Sequence, residues 1–165
     1  MTTPTPSPTP SIQVVDQHTI AKLSPRAIGQ MTYRIGVDDA GGVYLAVAAN
    51  QGSGCFSTEW IALSRIRAVV APYAASGEPL ATPVLRDAYV KRSINNAGFL
   101  AAVLRHTGLL EIADPPHLHR VAPDWDTWEA TQRQRYQPQE TPETTETSEA
   151  VEETPPQKPQ ARRRR

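Results

Sequence analysis

Four groups of residues in this chain are of types that do chemistry. Gly52-Ser53-Gly54-Cys55 sets the single cysteine behind a glycine-rich turn. A nucleophilic thiol needs a histidine and an orienting group, which only folding would bring together. A cysteine at the start of a strand equally suits an edge or buried position. A phosphate loop needs a longer glycine-rich run ending in Gly-Lys-Ser/Thr, and the sequence lacks it. His117 and His119 lie two residues apart, so a strand sets both imidazoles on one face. Zinc takes three or four ligands, and only Asp114 and Asp124 stand nearby in sequence. One cysteine excludes an intrachain disulfide and a cysteine-based zinc site. His18 and His106 have no evident partners, and the carboxylates are scattered, with no pair suited to acid–base work. The expectation is a chain with no metal, no cofactor and no catalytic residues.

The fourth group is aromatic. Tyr33, Tyr44, Phe56 and Trp60, with Arg34, would make a stacking platform for single-stranded nucleic acid if they shared one sheet face. They would equally serve as core and cross-strand pairs.

These groups need elements to position them. Residues 12–23 are apolar-rich and end at Ser24-Pro25, which suits a strand or a short helix closed by the proline. Met31, Tyr33, Ile35 and Val37 alternate with Thr32, Arg34 and Gly36, the period of a half-buried strand. Asp38-Asp39-Ala40-Gly41-Gly42 is turn chemistry, and Val43, Leu45 and Val47 alternate again. A third strand is expected from Cys55 to about Ala62, completing a three-stranded antiparallel meander. Ser64 is placed to cap a helix from Arg65 to about Ala75 that buries Ile66, Val69, Val70 and Tyr73 and ends at Gly77. Pro72 is expected to kink or shorten it at Ala71. Thr82-Pro83 restarts a helix, with the proline at the first helical position. Lys91-Arg92 form a turn and Ser93 caps the next helix. That helix buries Leu100, Val103 and Leu104 and stops at Gly108. Leu109 to Ile112 and His117 to Val121 then pair as a hairpin. Asp124 to Glu129 forms a short helix that lays Trp125 and Trp128 on the core.

The run from Ser64 to Val121 resembles a winged helix-turn-helix: three helices, then a two-stranded wing. The resemblance rests on Thr82-Pro83, on Ser93, and on Ala101-Ala102-Val103-Leu104-Arg105-His106-Thr107-Gly108-Leu109-Leu110-Glu111-Ile112, and it covers about a third of the chain. It implies that the third helix enters the major groove of duplex DNA with Asn95, Gly98, Ala102 and Arg105 on its exposed face. Asparagine bonds adenine, alanine meets a thymine methyl, and arginine reaches phosphate or guanine. Lys91 and Arg92 would meet phosphate, and Arg120 would sit on the wing. Two features depart from the family pattern. The face holds one strong base-reader, and the wing Ala113-Asp114-Pro115-Pro116 carries an acid. As an alternative, Asn95 and Asn96 act as helix caps, and Gly98, Ala101 and Ala102 pack against a neighbour.

The net charge of zero conceals a polarity. Residues 137–161 hold six Glu against Lys158, a local −5, and Arg162 to Arg165 add +4. Residues 64–121 hold seven Lys/Arg against four acids, a local +3. Residues 1–11 are a Pro/Thr-rich run and residues 137–165 an acidic tail with an arginine-rich tip; neither offers the apolar groups that offset chain entropy, so both are expected to be disordered. One α+β domain is expected over 12–136: mainly β to 63, helix-turn-helix plus hairpin over 64–121, and a C-terminal helix over 122–136. No signal peptide or membrane span is expected, which suits the cytoplasm. The leading expectation is a DNA-binding or nucleic-acid-associated accessory protein of a bacterium or mobile element. The alternative is a protein-binding adaptor or inhibitor acting through a sheet edge or the small-residue helix face, and the third is an enzyme of unknown class.

Overall fold

The computed structural model describes residues 11–52, 54–90 and 95–138. Its fold is α+β: an antiparallel meander of strands precedes a helical unit. Strand β1 (Ile12–Ala21) pairs with β2 (Gln30–Asp38), which pairs with β3 (Val43–Asn50), which pairs with the two-residue β4 (Ile61–Ala62). The sheet thus has four strands, one more than expected, because residues 12–21 are its first. The third strand expected from Cys55 is confined to Ile61–Ala62. The alternation in β2 acts as expected: Met31, Tyr33, Ile35 and Val37 are all 2% exposed or less. With Val43, Leu45 and Val47 of β3 they form one wall of the core.

The opposite sheet face is set by Gly36. A Cβ there would stand 2.9 Å from the Trp60 ring and 2.4 Å from Ile12 Cγ2. Glycine therefore admits the indole of Trp60 directly over the backbone. The register pairs Gly36 with Tyr44 and Arg34 with Ala46, so Tyr44 and Trp60 share a face that Tyr33 does not. Phe56 turns away as well and meets Phe99 edge-on, 6.3 Å between centroids. The aromatics are thus divided between the two faces and do not form one platform.

Helix α1 (Leu63–Ser76) starts one residue before Ser64, follows Ala62, and has no side-chain cap. It runs through Pro72 and ends at Gly77, whose φ of 71° is the left-handed geometry that glycine adopts without a Cβ clash. Pro72 is tolerated because it and Ala68, the residue whose carbonyl it leaves unpaired, are both exposed. Strand β5 (Leu80–Ala81) leads into a 3-10 helix (Thr82–Ala88) with proline in its first turn. The second helix expected from Thr82 is therefore of the tighter kind. Helix α2 (Asn96–His106) leads to β6 (Leu110–Ile112), β7 (Leu118–Val121) and α3 (Trp125–Gln134). The peptide bond preceding Pro115, in the turn between β6 and β7, is cis.

The expected hairpin forms, with Ile112 opposite His119 and Leu110 opposite Val121. It is not a free wing. β7 also pairs with β5, so the second sheet has the order β5-β7-β6 and β7 is its centre. Eight of the eleven α2 residues are buried, and α2 packs against the 3-10 helix, β6 and β1. One apolar cluster, from Ile20 to Trp125, joins both sheets and the helices. Trp125 anchors α3 by donating its indole N–H to the Leu109 carbonyl at 3.0 Å.

Candidate nucleic-acid interface

Two adjoining hollows, of about 440 and 290 Å³, lie where the β1–β2 loop, the 3-10 helix and the first half of α2 meet. Leu23, Ser24, Thr82 and Gly98 line both. The larger adds the cations Lys22, Arg26 and Arg86, with Asn95 and Phe99. The smaller adds Arg105, His117 and His119. No Asp or Glu lines either hollow among the described residues.

Each cation is held differently. Lys22 donates to the carbonyls of Ile28, at 2.9 Å, and Gln51, which ties the loop after β1 to the end of β3. Its charge is thereby fixed at the rim without a carboxylate. Arg26 is exposed on the loop. Arg86 lies along the groove, and its Nε is buried with no hydrogen-bond partner among the described residues. That nitrogen is closed off from solvent, so what Arg86 gives the groove is the charge of its guanidinium and not this N–H.

The far end is a polarised chain of side chains. Arg105 Nε donates to His119 Nδ1 at 2.8 Å, and its Nη2 donates to the carbonyls of Pro116 and Leu118, both at 2.9 Å. A guanidinium has no lone pair to offer, so Nδ1 must be the accepting nitrogen. The neutral ring then carries its proton on Nε2, which meets Thr82 Oγ1 at 2.8 Å. Burial, with Arg105 and His117 nearby, pushes His119 down to about 4 and keeps it neutral. This order is the reverse of a catalytic triad. A carboxylate on Nδ1 would leave Nε2 free to take the hydroxyl proton; here Nε2 keeps its proton and donates a hydrogen bond to Thr82.

The residues expected to read DNA are distributed as follows. Asn95, Gly98 and Arg105 line the groove. Ala102, expected on the exposed face, is 3% exposed and lies in the core, because α2 is packed around most of its circumference. Arg105 is turned onto the hairpin carbonyls instead of into solvent, and burial lowers its pKa. Arg120 is exposed on β7, opposite Glu111. Lys91, Arg92 and Ser93 lie outside the described residues. Asn95, at the N-cap position, makes no side-chain cap. Both asparagines bond across to the segment before β4: Asn95 Nδ2 donates to Cys55 O at 3.0 Å, and Asn96 Oδ1 accepts from Ser57 N at 3.1 Å.

Sequence reasoning passed over Lys22, Arg26 and Arg86, although the basic residues themselves were the available signal. It also left His18 and His106 without partners. Tyr33 Oη lies 2.8 Å from His106 Nδ1, and His18 stacks on Tyr33 and pairs with Asp16 at 3.1 Å. Burial works against the Asp16 carboxylate, yet the Gln17 N–H, His18 and Arg135 together hold it below its ordinary pKa. Burial, aided by Asp16, pushes Tyr33 up to about 12. The expected His117–His119 pair is split, since His119 is buried with both nitrogens engaged while His117 is exposed. Among the described residues no group of three or more His, Cys, Asp and Glu is placed to hold a metal ion, and no helix is long and apolar enough to cross a membrane.

The site and fold together define an α+β protein with a cationic groove. Comparisons with protein-family models, with curated proteins and with solved structures give no match to this chain.

Proposed function

We propose that this chain is a non-enzymatic, nucleic-acid-associated accessory protein of the cytoplasm that binds through the groove of Lys22, Arg26, Arg86 and Asn95. The observation that carries this reading is a concave surface lined by cations, with no carboxylate in its wall among the described residues. Lys and Arg in such a recess displace the counterions of a phosphate backbone, which gives affinity without sequence choice. The non-enzymatic part rests on the reversed proton order from Arg105 through His119 to Thr82, which leaves Thr82 unactivated. The test is binding of a mixed nucleic-acid pool over a range of salt. Arg26→Gln with Arg86→Gln should lower the slope of log affinity against log salt by about 2, one for each lost phosphate contact. An unchanged slope would remove the groove from binding.

A second reading, a protein-binding adaptor, is favoured by β1. This ten-residue strand is terminal in its sheet, so one row of its backbone N–H and C=O groups is open to an added strand. A register shift between Val14 and Asp16 interrupts only its first part. Weakened partner binding by a proline at Thr19, with the groove variants neutral, would favour this reading over the first.

A further inference from the structure

We infer that the ligand of the groove is single-stranded nucleic acid, with a backbone phosphate seated between Arg86, Arg26 and the hydroxyl of Thr82. The inference rests on the nucleic-acid reading above and narrows it.

The first argument concerns what the groove offers. Arg86 brings a guanidinium charge to a wall that holds no carboxylate among the described residues. Thr82 accepts a hydrogen bond from His119, so its own hydroxyl hydrogen is directed away from that ring, and Thr82 lines both hollows. With Lys22 and Arg26 the polar surface is dominated by donors. A ligand that satisfies it must be rich in acceptors and negatively charged, as a phosphodiester is.

The second argument excludes a duplex on shape. Reading a duplex by a helix requires that helix to enter a major groove about 12 Å wide. A helix with its side chains is itself about 10–12 Å across, so it must stand clear of its own protein. Eight of the eleven α2 residues are buried. The hairpin offers no substitute, since β7 has a strand on each side. The cations instead line a recess, which a flexible single strand can follow and a stiff cylinder cannot.

The third argument concerns the bases. Leu23, 40% exposed, stands with Pro25 and Pro83 at the groove wall. Such an apolar rim takes the face of a sugar or an unpaired base, which a duplex keeps stacked inside.

The test uses the full chain and fluorescein-labelled oligothymidine, oligouridine and a mixed-sequence duplex, each about 15 units long, near the upper site size of single-strand binders. Fluorescence anisotropy is read at about 50 mM salt, where phosphate contacts are strong. Either single strand should bind about tenfold more tightly than the duplex, and the two single strands separate DNA from RNA as the source. Arg86→Gln should weaken single-strand binding by about fivefold, Thr82→Val by about threefold, and Thr82→Ser hardly at all, because serine keeps the donor. Circular dichroism of each variant confirms the fold, and the serine variant covers the case in which valine disturbs it. Duplex binding equal to or tighter than single-strand binding would overturn this inference and leave the nucleic-acid reading standing. Single-strand binding untouched by Arg86→Gln and lost equally in both Thr82 variants would overturn the phosphate seat. No binding of any of the three would overturn both readings.

Discussion

Two hollows of similar size lie on different parts of the surface, and their arginines behave in opposite ways. The one between α1 and α3, about 390 Å³, is walled by Val70, Ala71, Ala74 and Trp125 around Arg67. Arg67 lies 5.6 Å from the Trp125 ring and pairs with Asp126 at 2.8 Å and Glu129 at 3.0 Å. Its charge is met from within. Its Nε, like that of Arg86 in the groove beside the 3-10 helix, is buried without a hydrogen bond, so the two arginines differ in their ion pairs: among the described residues Arg86 has none, and no carboxylate lines its groove. The first arginine is a packing residue that docks α3. The second is a charge left over by folding, and such a charge is what an anionic ligand needs. The difference is in the partners and not in the residue type.

Removing the core on which both hollows rest should have the largest effect. Leu104→Ala, at a side chain with no exposure, should cost about 2–5 kcal/mol in denaturant unfolding, through lost burial and the cavity left behind. A neutral result would mean that α2 does not hold the two hollows together, and the comparison would lose its frame.

Arg67→Gln comes next and should separate the hollows. It breaks a partly buried pair with Glu129 and the contact with Trp125, so a loss on the order of 1 kcal/mol in stability is expected. Nucleic-acid binding should stay unchanged. Arg86→Gln should do the reverse, lowering affinity and leaving the thermal midpoint alone or raising it. If both variants alter binding alike, the distinction between an internally paired and a free arginine fails.

A smaller effect follows from His119. Its folded pKa lies near 4, below the ordinary value of 6.5. Above about 6.5 both states hold a neutral ring and nothing is lost. As pH falls from there toward 4, the unfolded chain takes up a proton that the folded chain refuses, so stability declines. Below 4 the folded ring also protonates and the decline from this group levels off. The lowered pKa of Asp16 gives a loss of the same sign in the acid range. Comparing the original chain with His119→Gln in thermal unfolding across this range isolates the imidazole, and a variant with the same acid slope would show that His119 does not contribute.

The smallest effect belongs to the tail. Residues 137–161 carry six Glu, and deleting them while keeping Arg162 to Arg165 should strengthen low-salt binding, because the glutamates compete with phosphate for the basic groove. Equal affinity with and without the segment, in a fluorescence titration, would take the tail out of the account.

Periodicity made the strands legible. Met31, Tyr33, Ile35 and Val37 alternate so regularly that only one face can be buried, and that face is the core. Where pairing is brief the signal fails. Leu80–Ala81 is too short to show a period, so the central position of β7 was not visible in the sequence. Phe56 and Trp60 gave Cys55 to Ala62 the composition of a strand, but they are held by packing, Phe56 on Phe99 and Trp60 over Gly36. The wheel for α2 assumed one buried side, and Ala102 was put on the wrong one because the helix has neighbours on most sides. Asn95, Gly98 and Arg105 were singled out on the helix alone. Their partners in the groove, Lys22 and Arg26, come from a loop roughly seventy to eighty residues earlier, and only the β1–β2 turn brings them alongside Arg86.

The central claim is that the groove cations, which have no carboxylate in their wall among the described residues, and not those ion-paired elsewhere, meet nucleic acid. The most direct measurement is a titration of nitrogen-15-labelled full chain with short oligothymidine, following the amide resonances. Shifts concentrated in residues 22–29, 82–86 and 95–99, with Arg67, Trp125 and Asp126 still, are the expected result. Shifts confined to the terminal arginines, or gathered between α1 and α3, would contradict it.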